Sequence, residues 1–197
     1  MKIASHNTMS YLPVKQWWLK PFAWMARCQS KDILKQHNAG CEIFDLRIKP
    51  VNKNGRLKWA FGHGLITYKH AHIREFLEAL NRHAFCNGYD ERGFYLCARI
   101  ILECSKRHYV AELFFKDLCA KIESEFPHIK WCGGQTKADW SIIYEFRNKM
   151  PEIKEHYASM PANPKWYGIF PWLYAKLTNT KARLNHKNDI PLMMDFI

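Results

Sequence analysis

The sequence lacks several features that would assign it to a broad class at once. It has no uninterrupted run of about 18 apolar residues, so we expect no membrane-spanning helix. It has no internal repeat and no signature of a zinc finger, an RRM or a helix-turn-helix. Its seven cysteines form no CxxC pair and no compact disulfide pattern, which favours a reducing compartment. A strand-like segment follows the first methionine directly, so we expect no secretory signal and a cytoplasmic location.

Acidic residues are scarce relative to basic ones. The chain has 18 Asp and Glu against 30 Lys and Arg, which gives a net charge of +12. This excess predicts attraction to polyanions. Nucleic acid, an anionic membrane surface and a phosphorylated substrate all satisfy that condition, and charge alone does not choose between them.

The distribution of apolar residues predicts an α/β fold in one domain, residues 1–197. Runs of strand length end near Ser5, Ile48, Phe61 and Glu103, and a last one lies at 190–197. Between them, helical spacing covers 73–80 and 108–126, the latter with a predicted buried stripe of Val110, Leu113, Phe114, Leu118 and Ile122. This alternation is typical of a mostly parallel barrel. Because such barrels commonly need about 250 residues, we predict a compact, distorted TIM-type (β/α) barrel.

Polar residues of catalytic type stand at three of these strand ends. They belong to the segments Ser5-His6-Asn7-Thr8, Phe44-Asp45-Leu46-Arg47 and Phe61-Gly62-His63-Gly64. Side chains alternate along a strand, so Asp45 and Arg47 share one face. The carboxyl ends of parallel strands are the usual location of an α/β active site.

Two histidines, an arginine and nearby acids suit phosphodiester cleavage without a metal ion. One imidazole removes a proton from an attacking hydroxyl and the other protonates the leaving oxygen. A guanidinium binds the non-bridging phosphate oxygens and balances the charge that develops on them. A carboxylate behind an imidazole fixes its tautomer.

The three segments, in this order, resemble the X domain of phosphatidylinositol-specific phospholipase C in its metal-independent bacterial form, a family of distorted TIM barrels. The resemblance extends from Ile3 to about Glu103 and returns in the C-terminal segment Met193-Met194-Asp195-Phe196-Ile197. It implies a phosphoric diester phosphodiesterase, or lyase, of lipid metabolism. The implied reaction is an intramolecular attack that forms a 1,2-cyclic phosphate, which water then opens more slowly.

The resemblance also implies a role for each catalytic candidate. His6 matches the general base that deprotonates the inositol 2-hydroxyl, and Asp195 matches its carboxylate partner. His63 matches the general acid for the diacylglycerol leaving group. Asp45 is expected beside the leaving oxygen, and Arg47 is expected to bind the phosphate.

The residue at position 47 decides what the resemblance implies about metals. Calcium-dependent relatives carry an Asn after the first His and three acids, and Asn7, Asp45 and Glu103 occupy matching places. Arg47 replaces the remaining acid, and a fixed cation there repels Ca²⁺. We therefore expect no metal and no cofactor. The bacterial pattern has an acid where Asn7 stands, which leaves the support of His63 open.

Substrate contacts are expected from a second group of residues: Asn7, Arg99, Glu103, Lys137 and Tyr144. Arg99 and Glu103 share a face of the strand that ends at Glu103, and a buried structural ion pair is an equally good interpretation of them. The aromatic segment from Trp17 to Trp24 suits either contact with a membrane interface or packing over the barrel.

Two alternatives to this function remain. A glycerophosphodiester phosphodiesterase on a similar barrel would use a carboxylate-rich metal site, which Arg47 disfavours. A non-catalytic basic module would bind anionic lipid or nucleic acid. The partners we expect are a phospholipid head group or other phosphodiester and, peripherally, an anionic membrane surface. We expect the chain to be a monomer.

Overall fold

The computed structural model describes residues 2–69, 73–86, 97–103, 109–134, 141–143, 150–153, 156–157, 171–186 and 191–197. Two of the predicted substrate contacts, Lys137 and Tyr144, lie outside the described residues.

Strands and helices alternate along the described chain. The strands are β1 (Ile3–Ser5), β2 (Cys41–Lys53), β3 (Arg56–His63), β4 (Ile66–Thr67), β5 (Cys97–Glu103), β6 (Lys130–Gly134), β7 (Ser141–Ile143), β8 (Met150–Ile153), β9 (His156–Tyr157) and β10 (Leu192–Met194). The α-helices are α1 (Ile33–Asn38), α2 (Ile73–Cys86), α3 (Tyr109–Glu125) and α4 (Pro171–Asn185). Two 3-10 helices, Thr8–Tyr11 and Trp17–Ala26, precede α1.

The strands form one mixed sheet whose main path is parallel. Its order is β8-β6-β5-β2-β1-β10-β9, with β3, β4 and β7 attached as antiparallel branches. Within the described residues β8 and β9 are the two ends of this path and do not pair, so the sheet is open there. The chain is thus a mixed α/β protein with a distorted barrel of TIM type, as its sequence predicts.

The core lies on both faces of the central strands. All seven residues of β5 are buried, as expected for a strand covered on both sides. The buried face of α3 differs from the predicted stripe: Leu113 and Phe114 are exposed, whereas Ala111, Phe115 and Cys119 are buried with Ile122. The prediction followed the larger side chains. The helix instead buries the face that carries Ala111, Phe115 and Cys119, which repeat every four positions.

Strands β2 and β3 form an antiparallel hairpin within a sheet whose main path is parallel. The turn at Asn54 and Gly55 has φ values of 55° and 72°, the left-handed backbone of a tight two-residue hairpin. Strand β3 therefore returns antiparallel to β2, with Phe61 opposite Ile48. His63 is the last residue of β3. It therefore comes to the level of Arg47 from an antiparallel strand and does not follow a parallel strand of the barrel.

The segment Trp17–Ala26 is a 3-10 helix that contains a proline. Pro21 lies inside its 3-10 helix and does not break it, although a proline removes one backbone donor. Its large rings are exposed, with Trp17 at 74% and Trp18 at 57%, whereas Leu19 and Ala23 of the same segment pack against the core, so the segment lies on the barrel with its rings outward. Of the residues after 149 that the structure describes, 150–153 and 156–157 are two short strands, β8 and β9, and 171–185 form the regular helix α4.

Candidate active site

The parallel pairing of β1 with β10 places His6 beside Asp195. Ser5 is opposite Met194 in the register, so the next residue of each strand leaves the sheet at the same point. His6 Nδ1 lies 2.7 Å from Asp195 Oδ1, and both side chains are buried. The His6 backbone N–H donates to the Met194 carbonyl at 3.1 Å, which fixes the end of β1 against β10. A carboxylate therefore orients the His6 ring.

Strands β2 and β5 bring two arginines and two acids into one buried network. Asp45 is opposite Arg99 in the register, and Arg99 Nε donates to Asp45 Oδ1 at 2.9 Å. Arg47 Nε donates to the other oxygen, Asp45 Oδ2, at 2.9 Å, while Arg47 Nη1 lies 3.4 Å from Glu103 Oε2. The Gly64 N–H donates to Glu103 Oε1, which links this network to the turn after His63.

Asp45 is held as a carboxylate. Burial by itself would raise its pKa, but Arg47 and Arg99 outweigh burial and hold the pKa well below its ordinary value. Asn7 adds a backbone N–H bond to Asp45 Oδ2 at 3.1 Å. Asn7 has φ 43° and ψ 60°, a left-handed conformation that Asn tolerates better than most residues. The structure thus joins Asn7 to Asp45 through its backbone.

His63 faces His6 across the site. The two rings meet edge to face with centroids 5.7 Å apart. His63 Nδ1 lies 3.2 Å from the Ala26 carbonyl and 3.9 Å from Cys28 Sγ. Burial lowers the pKa of His63 to about 4; Glu103 acts to raise it, and Arg47 and His6 lower it further. The His63 ring is therefore neutral in the unliganded protein near pH 7.

Three residues that sequence reasoning did not select hold this arrangement together. The Ser10 hydroxyl accepts bonds from the backbone N–H groups of Cys28 and Gln29 at 3.0 and 2.7 Å. The Gln29 side-chain amide donates to the carbonyls of Met194 and His6 at 2.8 and 3.2 Å. No periodicity or motif in the sequence marks these residues, because their contacts come from a loop that returns to the ends of β1 and β10.

A pocket of about 390 Å³ is lined in part by residues that neighbour site residues in the sequence. Its lining residues are Trp24, Arg27, Ser30, Pro171, Trp172, Leu173 and Phe196. Arg27 precedes Cys28 and Phe196 follows Asp195, so the pocket adjoins the elements that carry the catalytic candidates. Helix α4 contacts the 3-10 helix Trp17–Ala26 at this place. The pocket is lined mostly by apolar and aromatic side chains.

The fold and the position of these residues are those of a barrel whose polar side chains gather at the carboxyl ends of its parallel strands. Comparison with solved structures finds this fold in bacterial phosphatidylinositol-specific phospholipases C. The enzyme from Listeria monocytogenes superimposes with a TM-score of 0.52 and 12% identity, covering 100% of this chain and 88% of that one. A histidine-to-tyrosine mutant of the Staphylococcus aureus enzyme gives 0.58 and 13%, covering 98% and 84%. A second Staphylococcus aureus structure, concerned with modulation of membrane binding, gives 0.56 and 12%, covering 99% and 85%.

These likenesses establish the fold. No protein-family model matches the chain, and no curated protein matches its sequence. None of the helices that the structure describes combines the length and the apolar character needed to cross a bilayer.

Proposed function

We propose that the chain is a metal-independent phosphodiesterase that cleaves phosphatidylinositol, or a related phosphodiester with a neighbouring hydroxyl, through a cyclic phosphate. The observation that carries the proposal is the pair of imidazoles, His6 and His63, with ring centroids 5.7 Å apart and one of them held by a buried carboxylate. Two imidazoles at this separation can serve the attacking and the leaving oxygen of one phosphate.

His6 is the general base of this mechanism. The Nδ1–H group of His6 donates a hydrogen bond to Asp195 and keeps its proton. The lone pair is therefore on Nε2, which takes the proton from the attacking hydroxyl. As that proton arrives, the ring becomes cationic, and Asp195 at 2.7 Å stabilises the charge. The attacking oxygen then forms its bond to phosphorus within the same molecule, so no water enters this step.

His63 is the general acid. Its pKa of about 4 in the unliganded protein keeps it neutral, and a bound phosphate anion raises that pKa by supplying a negative charge. Protonation of His63 is thus coupled to substrate binding. The proton goes to the leaving oxygen as its bond to phosphorus breaks.

Arg47 is the proposed phosphate ligand, and its neighbours are positioning residues. The Arg47 side chain keeps 11% exposure, whereas Arg99 keeps 2%. Asp45 is fully buried and accepts bonds from Arg47, Arg99 and the Asn7 backbone. We therefore assign Asp45, Arg99 and Glu103 to holding Arg47 in place, in preference to direct proton transfer or substrate contact.

The apolar surface beside the site suits a lipid substrate. The exposed aromatic residues of the 3-10 helix and of α4 lie together with cations: Trp17, Trp18, Phe22, Trp24 and Trp172, with Lys20, Arg27 and Lys176. Lys176 Nζ lies 5.3 Å from the centre of the Trp172 ring. Aromatic rings among cations match the interface of an anionic membrane, and the adjoining pocket can hold an acyl chain. A Staphylococcus aureus neighbour was itself studied for membrane binding.

The test is incubation of the protein with phosphatidylinositol in EDTA, followed by phosphorus NMR. The proposal expects a cyclic inositol phosphate that opens more slowly to the monoester. A matched phosphatidylinositol with its 2-hydroxyl methylated should not be cleaved, because it lacks the attacking group. Cleavage of the methylated lipid would refute the intramolecular step.

Activity only with added divalent metal would favour a glycerophosphodiesterase-like reaction, and salt-sensitive lipid binding without any turnover would favour a binding module.

A further inference from the structure

The two imidazoles of the site have a third neighbour that the proposed reaction does not use. Cys28 is buried, and its sulfur lies 3.9 Å from His63 Nδ1. One ligand atom from each of His6, Cys28 and His63 can be chosen so that all three lie within 4.8 Å of one another. The part of the chain that the structure describes holds a single group of this kind.

We propose that His6, Cys28 and His63 form a binding site for a thiophilic divalent cation, with Zn²⁺ as the ion whose chemistry fits best. A thiolate and two imidazoles are a three-ligand set that leaves the fourth tetrahedral position to water or to a phosphate oxygen. Zinc bonds of about 2.3 Å to sulfur and about 2.0 Å to nitrogen separate neighbouring ligand atoms by roughly 3.4–3.6 Å. The observed separations reach up to 4.8 Å, so binding of the ion requires side-chain rotations that draw the three ligand atoms closer together.

The surroundings of the three residues support the site. Asp195 binds His6 Nδ1 and so directs the lone pair to Nε2, the carboxylate–histidine arrangement found behind zinc ligands. The backbone of Cys28 is fixed at both ends, since its N–H donates to the Ser10 hydroxyl and its carbonyl accepts from the Phe196 N–H at 2.7 Å. His63 is partly exposed, which provides a path for the ion.

The acids of the site offset the positive charge that Arg47 places near His63. Arg47 is the nearest guanidinium in the network, and Asp45 and Glu103 both pair with it. The remaining buried carboxylate, Asp195, lies on the His6 side. A Ca²⁺ ion would still be disfavoured, because the three residues offer nitrogen and sulfur and not the several oxygens that calcium needs.

The bound ion would inhibit the proposed reaction. It would occupy the lone pair that His6 needs as a base and hold His63 away from its proton-donating role. Binding of the ion is a property of the three side chains alone and does not depend on whether the chain cleaves a phosphodiester. A readout that involves no substrate therefore separates the two proposals.

The experiment uses the full-length, metal-free protein kept reduced with a phosphine, titrated with Co²⁺ as a spectroscopic substitute for Zn²⁺. We expect intense visible bands of four-coordinate cobalt and a sulfur-to-cobalt charge-transfer band in the near ultraviolet, both removed by Zn²⁺. Cys28→Ser should abolish the charge-transfer band and weaken cobalt binding by roughly 10²-fold or more, beyond the loss typical of a second-shell change. Absence of the bands from the parent protein would overturn the proposal.

Matched controls test two of the other thiols. Cys41→Ser replaces a buried thiol at the start of β2, and Cys86→Ser replaces an exposed one at the end of α2. Both should keep the parent spectrum. His63→Gln gives a second reading that leaves the buried thiol in place: the visible bands should weaken and the affinity should fall. Parent-like spectra in either Cys28→Ser or His63→Gln would overturn the site, whatever the activity of the protein toward phosphatidylinositol.

Discussion

His6 and Asp195 are 189 residues apart in the chain, and their side chains are 2.7 Å apart in the structure. The pairing of β1 with β10 creates this contact, because the first and last described strands run side by side in the same direction. An imidazole near one end of the sequence thus depends on a carboxylate near the other.

Asp195→Asn tests that dependence. The amide cannot stabilise a cationic His6 ring and does not enforce the productive tautomer, so kcat should fall by roughly 10²-fold or more with KM little changed. The measurement is the initial rate on phosphatidylinositol in EDTA, with kcat and KM determined separately. Asp117→Asn, at an exposed position on α3, is the matched control and should keep the parent rate. A parent-like kcat in Asp195→Asn would contradict the proposed base.

Asp45→Asn tests the network around Arg47. The carboxylate is buried and pairs with two guanidiniums, so its removal leaves buried positive charge without compensation. The free energy of unfolding should fall by about 3–5 kcal/mol. Urea unfolding measures this loss as a lower midpoint with an unchanged slope. Glu78→Gln, which breaks the exposed pair with Arg74, should cost less than about 0.5 kcal/mol, and equal losses in the two variants would contradict the network.

The pH dependence of stability tests the environment of His63. Burial lowers its pKa in the folded protein to about 4 from an ordinary value near 6.5. Between these values the unfolded chain binds the proton and the folded one does not, so stability is complete above 6.5 and is lost as the pH falls toward 4. The loss amounts to at most about 3 kcal/mol.

The measurement is urea unfolding in EDTA at a series of pH values, in the parent and in His63→Gln. The variant lacks this group, so the parent should lose more stability than the variant across the window. The pKa of Asp45 lies well below its ordinary value of 3.8, so titration of Asp45 changes the stability only at pH values below that window. The effects of the other groups are the same in both proteins and cancel in the comparison. Identical pH dependence in the two proteins would show that the His63 pKa is not depressed.

The aromatic surface gives a prediction about lipid vesicles. Replacing Trp17 and Trp18 by Ala removes two exposed rings, so the partition coefficient onto anionic vesicles should fall by roughly 10-fold or more. Sedimentation with sucrose-loaded vesicles measures it, and binding of the parent should weaken with added salt because cations surround the rings. Phe85→Ala removes an exposed ring of α2 and is the control. Equal losses in the two variants would argue against a specific membrane face.

Sequence patterns predicted the part of the site that parallel strands create. Residues that directly follow paired parallel strands must meet at one edge, which is why His6 and Asp195 lie together and why Asp45 and Arg47 share a face with Arg99. Arg99 and Glu103 each belong to a buried ion pair, but with other partners: Arg99 pairs with Asp45, and Glu103 pairs with Arg47.

The rest of the site depends on long-range contacts that leave no local pattern. Cys28 and Gln29 lie in a loop without periodicity, so nothing in the sequence indicates that they reach His63 and His6. The roles of Lys137 and Tyr144, the monomeric state and the cytoplasmic location stay predictions.

The central claim is that His6 and His63 divide the work as base and acid, and substrates that differ only in their leaving group test it most directly. We would compare an inositol phosphodiester with an alkyl leaving group and one with a nitrophenyl leaving group, which departs without a proton. His6→Ala should lose at least about 10³-fold in kcat/KM on both substrates. His63→Ala should lose as much on the alkyl substrate and recover most of the rate on the nitrophenyl substrate. Equal losses of His63→Ala on the two substrates, or a parent-like rate of either variant on the alkyl substrate, would contradict the account.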